Sequence, residues 1–112
     1  MDYKKLEIEI NLLHQRVCQA LADPTRILIL YRLNEKPMCV NELVEAMQLP
    51  QSTISRHLGV LRDKNLVKTD RDGATIYYNL AEPRMIEVLD TMRAIVASQL
   101  ADSAEIAKSI KE

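Results

Sequence analysis

The apolar positions of residues 52–62 repeat with the period of an α-helix. Ile54, Leu58 and Leu61 are spaced i, i+4 and i+7, so a helix would gather them into one apolar stripe. The opposite face would carry short hydroxyl side chains and one arginine: Ser52, Thr53, Ser55 and Arg56. Such a helix can bury one side in a domain and lay the other in a DNA major groove, where hydroxyls and arginine meet base edges and phosphates.

The segments on either side predict a helix-turn-helix followed by a hairpin. Residues 42–47 read as a short amphipathic helix and residues 48–51 as a tight turn, which places the helix-turn-helix at about residues 41–63. Two short runs rich in β-branched and aromatic residues follow, and Asp72 and Gly73 lie between them. This order predicts a winged helix with its wing at about residues 66–79. The alternative is an amphipathic helix beside an ordinary hairpin.

Further helices are predicted on both sides of this region. Apolar residues of the segment 4–22 recur at helical spacing, and Asp23 and Pro24 then suit the N-cap and first position of a core helix over residues 25–34. Pro83 opens a last helix, so that the final helix spans about residues 82–109. We therefore expect a mainly α fold with a small β-hairpin, in the order ααααββα, forming a single winged-helix domain over residues 1–112.

The first and last helices carry more apolar positions than a small winged-helix core can cover. Excess apolar surface on terminal helices is typical of a protein interface. We expect a homodimer formed through the helices at about residues 4–22 and 82–109. Its two-fold symmetry would present two recognition helices to a palindromic double-stranded DNA site.

Composition and charge narrow the function classes. No apolar run approaches the roughly 20 residues that span a bilayer, and the N-terminus has no signal-peptide core, so a soluble, cytoplasmic protein without a membrane partner is expected. The net charge of the chain is only −1, but the segment from Arg56 to Arg71 contains five basic and two acidic residues. This basic cluster coincides with the predicted helix and wing, which favours nucleic acid over an ordinary solvated face.

The residue types present also exclude several activities. All four aromatic residues are tyrosines, which disfavours modules that stack single-stranded bases on aromatic side chains. The chain has only two glycines, so a glycine-rich phosphate-binding loop is not expected. Its sequence also shows no catalytic set of histidine, acidic residue and nucleophile, so an enzyme is not expected. A winged-helix module that binds proteins instead of DNA is a remote alternative.

Four segments together resemble the ArsR/SmtB family of winged-helix repressors. Residues 20–30 resemble the family's entry into its second helix, and residues 39–43 resemble the start of its third. Residues 51–58 resemble its recognition helix and residues 72–78 its wing. The resemblance implies a homodimeric repressor that leaves its operator when an inducer binds.

The resemblance also implies roles for individual residues. The recognition helix would contact bases and nearby phosphates through Gln51, Ser52, Thr53, Ser55 and Arg56. His57 would lie at the edge of this face, or alternatively pack inside the helix bundle. Phosphates would be held, without reading bases, by Arg62, Lys68 and Arg71.

The family's metal sites are only partly represented. Its third-helix site uses two thiolates, and here Cys39 matches the first while Asn41 replaces the second. Its last-helix zinc site uses an aspartate and a histidine, and here Asp90 is present while Met92 replaces the histidine. No cofactor is expected, and Cys39 is a weak candidate metal ligand. A metal or metalloid inducer acting through an incomplete or intersubunit cysteine site remains an alternative.

Cys39 is the main candidate for sensing. It has capping-box spacing to Glu42, and a helix N-terminus favours a thiolate, the form that oxidants, persulfides and arsenite attack. We expect release from DNA through thiol chemistry at Cys39; the alternatives are a half-buried packing residue and a repressor with no inducer. Cys18 would pack in the core or the dimer interface, or pair with Cys39 within or between subunits. The family's persulfide-responsive members use a last-helix cysteine that this chain lacks.

Overall fold

The fold follows the predicted order of helices and hairpin. A computed structural model of the protein describes residues 1–111. Its elements are α1 (Tyr3–Leu13), a π-helical turn (His14–Cys18), a 3-10 turn (Ala20–Ala22), α2 (Pro24–Glu35), α3 (Val40–Met47), α4 (Gln51–Asp63), β1 (Val67–Asp72), β2 (Thr75–Leu80) and α5 (Arg84–Lys111). The predicted class, a mainly helical winged helix with one antiparallel hairpin, is confirmed.

The first predicted helix differs from the expectation. We expected one helix over residues 4–22, but α1 ends at Leu13 and the next turn is π-helical, with the Gln19 N–H donating to the His14 carbonyl at 3.0 Å. The chain then leaves helical geometry at Asp23, whose φ is −109°. A residue before proline is driven out of the helical region by the proline ring, and Pro24 is the first residue of α2.

The core of the unit formed by residues 1–82 is organised around α4, which contacts α2, α3 and β1. The predicted apolar stripe of α4 is confirmed, since Ile54, Leu58 and Leu61 are fully buried. The neighbouring segments add further buried side chains: Ile29, Leu30 and Leu33 of α2, Leu43 of α3, Leu66 just before β1, and Val67, the first residue of β1. α4 is therefore held in one orientation about its own axis.

The hairpin is joined to the loop that precedes α3. Met38 forms a β-bridge with Tyr78: the Tyr78 N–H donates to the Met38 carbonyl at 2.8 Å, and the Met38 N–H returns a bond of 3.2 Å. At the tip of the hairpin Gly73 has φ +63°, the positive value that the Asp72–Gly73 signal predicted. The bridge places the start of α3 directly beside β2.

The second unit begins at Pro83 and consists of α5. Large apolar side chains on this helix are exposed in the single chain, each by 44% or more: Val88, Met92, Ile95, Val96, Leu100, Ile106 and Ile110. α1 likewise exposes Ile8, Ile10, Leu12 and Leu13. Across residues 1–111, no helix has the length and apolar character needed to cross a membrane.

Candidate nucleic-acid interface

One face of α4 carries polar side chains, and the N-terminal end of this helix has no side-chain cap. The predicted face residues Gln51, Ser52, Ser55 and Arg56 are exposed, and so is Arg62 one or two turns further on. Thr53 is half-buried, so it offers less surface than its neighbours. Pro50 occupies the N-cap and has no side-chain acceptor for the first amides of the helix. This end of α4 therefore suits a phosphate or another anion.

The wing adds basic side chains but separates two of them. Lys68 and Arg71 are both exposed on β1. They are three residues apart, and successive side chains of a strand alternate between its faces. Lys68 and Arg71 therefore project from opposite faces of the hairpin, and the structure does not bring both to one side.

The expected place of His57 at the edge of the exposed face is corrected by the structure. His57 is only 2% exposed and lies on the inner side of α4. Its spacing explains this, because residue 57 is i+3 from Ile54 and i−4 from Leu61 and so extends the apolar stripe. Its position is that of the alternative, a histidine that packs inside the helix bundle. The same spacing could have identified it from sequence.

A hydrogen-bond network holds His57 against the segment that leads into α2. The Arg26 guanidinium donates to the Ala20 carbonyl at 2.7 Å and to the Gln19 carbonyl at 3.1 Å, and its Nη1 lies 3.3 Å from His57 Nδ1. Since arginine can only donate, Nδ1 accepts and the ring proton is on Nε2. Nε2 lies 3.9 Å from Asp23 Oδ2. Sequence reasoning missed Arg26 and assigned Asp23 only a capping role.

The surroundings of His57 favour its neutral ring. Burial lowers the pKa of His57, the Asp23 carboxylate partly opposes this, and Arg56 and Arg26 lower it further. The pKa of Asp23 is lowered chiefly because its Oδ1 accepts the Thr25 N–H at 2.8 Å. A neutral ring is what the Arg26 contact requires, because a protonated His57 would have no acceptor for Arg26 and would place two cations together.

Cys39 begins α3 in the predicted capping box. Its backbone N–H donates to Glu42 Oε1 at 3.2 Å, and its side chain faces the N3 amide. The pKa of Glu42 is lowered by this backbone bond first and by the Cys39 thiol second. Glu42 therefore closes the capping box by accepting from the residue that precedes α3.

Cys39 opens into a cleft that reaches both proposed DNA-binding elements. The cleft has a volume of about 270 Å³ and is lined by residues from α3, α4 and the hairpin: Cys39, Val40, Asn41, Gln51, Ala74, Thr75 and Ile76. Gln51 is the first residue of α4, and Thr75 and Ile76 begin β2. The cleft therefore brings residue 39 next to both the predicted recognition helix and the wing.

The second thiol and the potential metal ligands lie elsewhere. Cys18 is exposed at the end of the π-helical turn, and both thiols are free. Within residues 1–111 of one chain, no three histidine, cysteine or acidic side chains form a group that could hold a metal ion. Asp90, expected at the family's zinc position, lies 3.1 Å from Arg93 Nη1.

A buried stripe, an exposed polar face and a following hairpin define α4 as the recognition helix of a winged helix-turn-helix protein. A family model described as "Bacterial regulatory protein, arsR family" matches residues 23–69. The HTH-type transcriptional repressor SmtB of Mycobacterium tuberculosis is 38% identical over 71 residues, which are 63% of this chain and 53% of SmtB. The chain spans about half the length of the curated relatives it matches first.

Solved structures extend the match to nearly the whole chain. The crystal structure of Mycobacterium tuberculosis Rv0081 is 34% identical, covers 93% of this chain and 98% of its own, and has a TM-score of 0.72. The homodimeric winged helix-turn-helix domain of Mycobacterium bovis Mb0332 is 25% identical, covers 89% and 90%, and also has a TM-score of 0.72. The chain belongs to the ArsR/SmtB family of helix-turn-helix transcriptional regulators.

The buried state of His57 predicts a specific pH dependence of stability. Its folded pKa is lowered, so the unfolded chain binds more protons once the pH falls below the ordinary histidine value of about 6.5. The contribution of neutral His57 to the free energy of unfolding is therefore fully present above that pH. It is lost as the pH falls toward the pKa of His57 in the folded protein. His57→Gln should lower the free energy of unfolding by about 1–3 kcal/mol near pH 7.5. When the pH is then lowered to about 5.5, the free energy of unfolding of the variant should fall by less than that of wild type.

Urea unfolding at the two pH values measures this difference. His14→Gln is the matched control, because His14 is exposed in the π-helical turn and its replacement should leave the free energy of unfolding close to that of wild type. Asp23 titrates below this window, since its pKa is lowered from 3.8. Equal pH slopes for wild type and His57→Gln would contradict the assigned role of His57.

Proposed function

We propose that the protein is a homodimeric, sequence-specific transcriptional repressor that reads double-stranded DNA with α4. The observation that carries this proposal is the exposed face of α4, whose orientation is fixed by its buried stripe. An α-helix of this kind fits the DNA major groove. Family membership supports the same function, and a cytoplasmic location is part of the proposal. It is not proposed to be an enzyme.

The proposal divides the contacts into reading and positioning. Gln51, Ser52, Ser55 and Arg56 read base edges or hold adjacent phosphates, with Thr53 contributing from its half-buried position. Phosphates without sequence information are held by Arg62, Lys68 and Arg71. Because Lys68 and Arg71 leave opposite faces of the wing, they reach different phosphates. His57 positions α4 from inside and does not touch DNA.

Dimerisation is supported by the exposed apolar side chains of α1 and α5. Each of the two helices exposes more large apolar side chains than scattered surface residues would account for, and a second copy of the chain would cover them. Mb0332, a structural neighbour, is a homodimer. A two-fold dimer presents two α4 helices to a palindromic operator whose half-sites lie about one helical turn apart.

For the inducer, we propose thiol chemistry at Cys39. A polysulfide supplies the reacting sulfur: the Cys39 thiolate attacks it, a new S–S bond forms at Cys39, an S–S bond of the polysulfide breaks, and the shorter polysulfide leaves. The product occupies the cleft between Gln51 and the wing residues Thr75 and Ile76. The added group would change the spacing of the two DNA-binding elements and so weaken operator binding.

A metal or metalloid inducer is the second candidate. Its support is the position of Cys39 at the start of α3, where the family's soft-metal site lies, and its difficulty is Asn41 in place of a second thiolate. Such a site would need a ligand from the other subunit. Two further alternatives are a repressor without any inducer and a winged helix that binds protein instead of DNA. The following experiments distinguish both from the proposed function.

Arg56→Ala should weaken binding to duplex DNA from upstream of the protein's own gene by about 10- to 100-fold at fixed salt. The lost guanidinium removes a contact on the reading face of α4. Fluorescence anisotropy measures the affinity. Lys68→Ala should reduce the slope of log affinity against log salt concentration by about one, because one phosphate contact is lost. Arg32→Ala, an exposed arginine on α2, is the matched control and should bind like wild type. Equal affinity of Arg56→Ala and Arg32→Ala would contradict the reading face.

Cys39→Ser should bind the same duplex but fail to respond to polysulfide, whereas the wild-type protein should lose affinity and regain it on reduction. Serine keeps the capping position yet cannot form the S–S bond. Anisotropy before and after treatment gives the result. Cys18→Ser is the control and should respond like wild type if Cys39 acts alone. A normal response of Cys39→Ser would contradict the proposed thiol switch. If the wild-type protein does not bind duplex DNA, the proposed repressor function is contradicted as well.

A further inference from the structure

Gly59 occupies the exposed side of α4 with no structural requirement for glycine. It lies four residues after Ser55 and three before Arg62, so it continues the proposed DNA-binding face. It is exposed, and apart from its two chain neighbours and the backbone of α4 itself, no atom lies within 4 Å of where a Cβ would stand. Its φ is not positive, unlike that of Gly73, so the backbone conformation suits any residue.

Glycine at this position is unfavourable for the isolated protein. In the interior of a helix it is less stable than alanine because the unfolded chain gains backbone freedom and the helix loses side-chain cover. Here no tight turn, close helix contact or left-handed conformation offsets this loss. What the missing side chain provides is open space on the solvent side of α4.

We propose that Gly59 is a positioning residue that lets the sugar-phosphate backbone of duplex DNA approach α4 closely. This inference rests on the function proposed above. Arg56 and Arg62 lie one turn before and one turn after Gly59 on the same side of the helix, so a phosphate attracted by both meets the helix at residue 59. A Cβ at this point would hold the helix away from the groove and lengthen the contacts of Ser55 and Arg56.

The proposal predicts opposite effects on folding and on DNA binding. Gly59→Ala should raise the thermal unfolding midpoint by roughly 4 °C, because alanine is the better helix former and has free space. The same variant should bind duplex DNA from upstream of the protein's own gene about tenfold more weakly, as expected for overpacking at an interface. Gly59→Leu should bind more weakly still while remaining folded.

Asn34→Ala is the matched control, since Asn34 is an exposed helical residue on α2 and its replacement also improves helix propensity. It should raise the unfolding midpoint and leave DNA affinity unchanged, which separates added stability from lost contact. Sedimentation of Gly59→Ala should match wild type, because the proposed contact is with DNA and not with the second subunit.

Wild-type affinity retained by both Gly59 variants would overturn the inference and leave the proposed repressor intact. A changed oligomeric state of Gly59→Ala would also overturn it, by assigning the open space to a protein contact. If the wild-type protein itself fails to bind the duplex, the proposed function fails, and the inference fails with it.

Discussion

The burial of one side of α4 is the constraint on which the rest of the structure depends. Ile54, Leu58 and Leu61 fill the core between α2, α3 and β1, and burial of each such side chain is worth about 1.5–3 kcal/mol. Rotating the helix by one residue would expose these side chains and bury the Arg56 guanidinium. The core therefore determines which residues of α4 face outward, and the proposed reading face is a direct consequence of packing.

His57 adds direction to this apolar constraint. Apolar contacts alone tolerate small rotations and shifts, whereas hydrogen bonds require particular atoms to meet. Arg26 connects His57 to the carbonyl groups of Gln19 and Ala20, so the recognition helix is fixed to the segment that leads into α2. That segment directly follows the π-helical turn and the exposed apolar helix α1. The proposed reading face of α4 is thus linked to the segment that follows α1 by a short, hydrogen-bonded stretch of chain.

Most of the fold could be predicted from sequence because it depends on local signals. The period of Ile54, Leu58 and Leu61 predicted α4, and Gly73 after Asp72 predicted the hairpin turn. The interruption after Leu13 could not be predicted, because the apolar spacing of residues 4–22 fits a continuous helix equally well. The bridge between Met38 and Tyr78 joins distant segments through backbone atoms, which leave no periodic pattern in the sequence. Gly59 became informative only when the structure showed open space around it.

The central claim is that two outward-facing α4 helices lie in successive major grooves of one duplex. The most direct measurement is hydroxyl-radical footprinting of the reduced protein on DNA from upstream of its own gene. The account predicts two protected blocks on one side of the duplex, related by two-fold symmetry and about one helical turn apart. A single unpaired block at saturating protein, or uniform cleavage along the whole duplex, would contradict it.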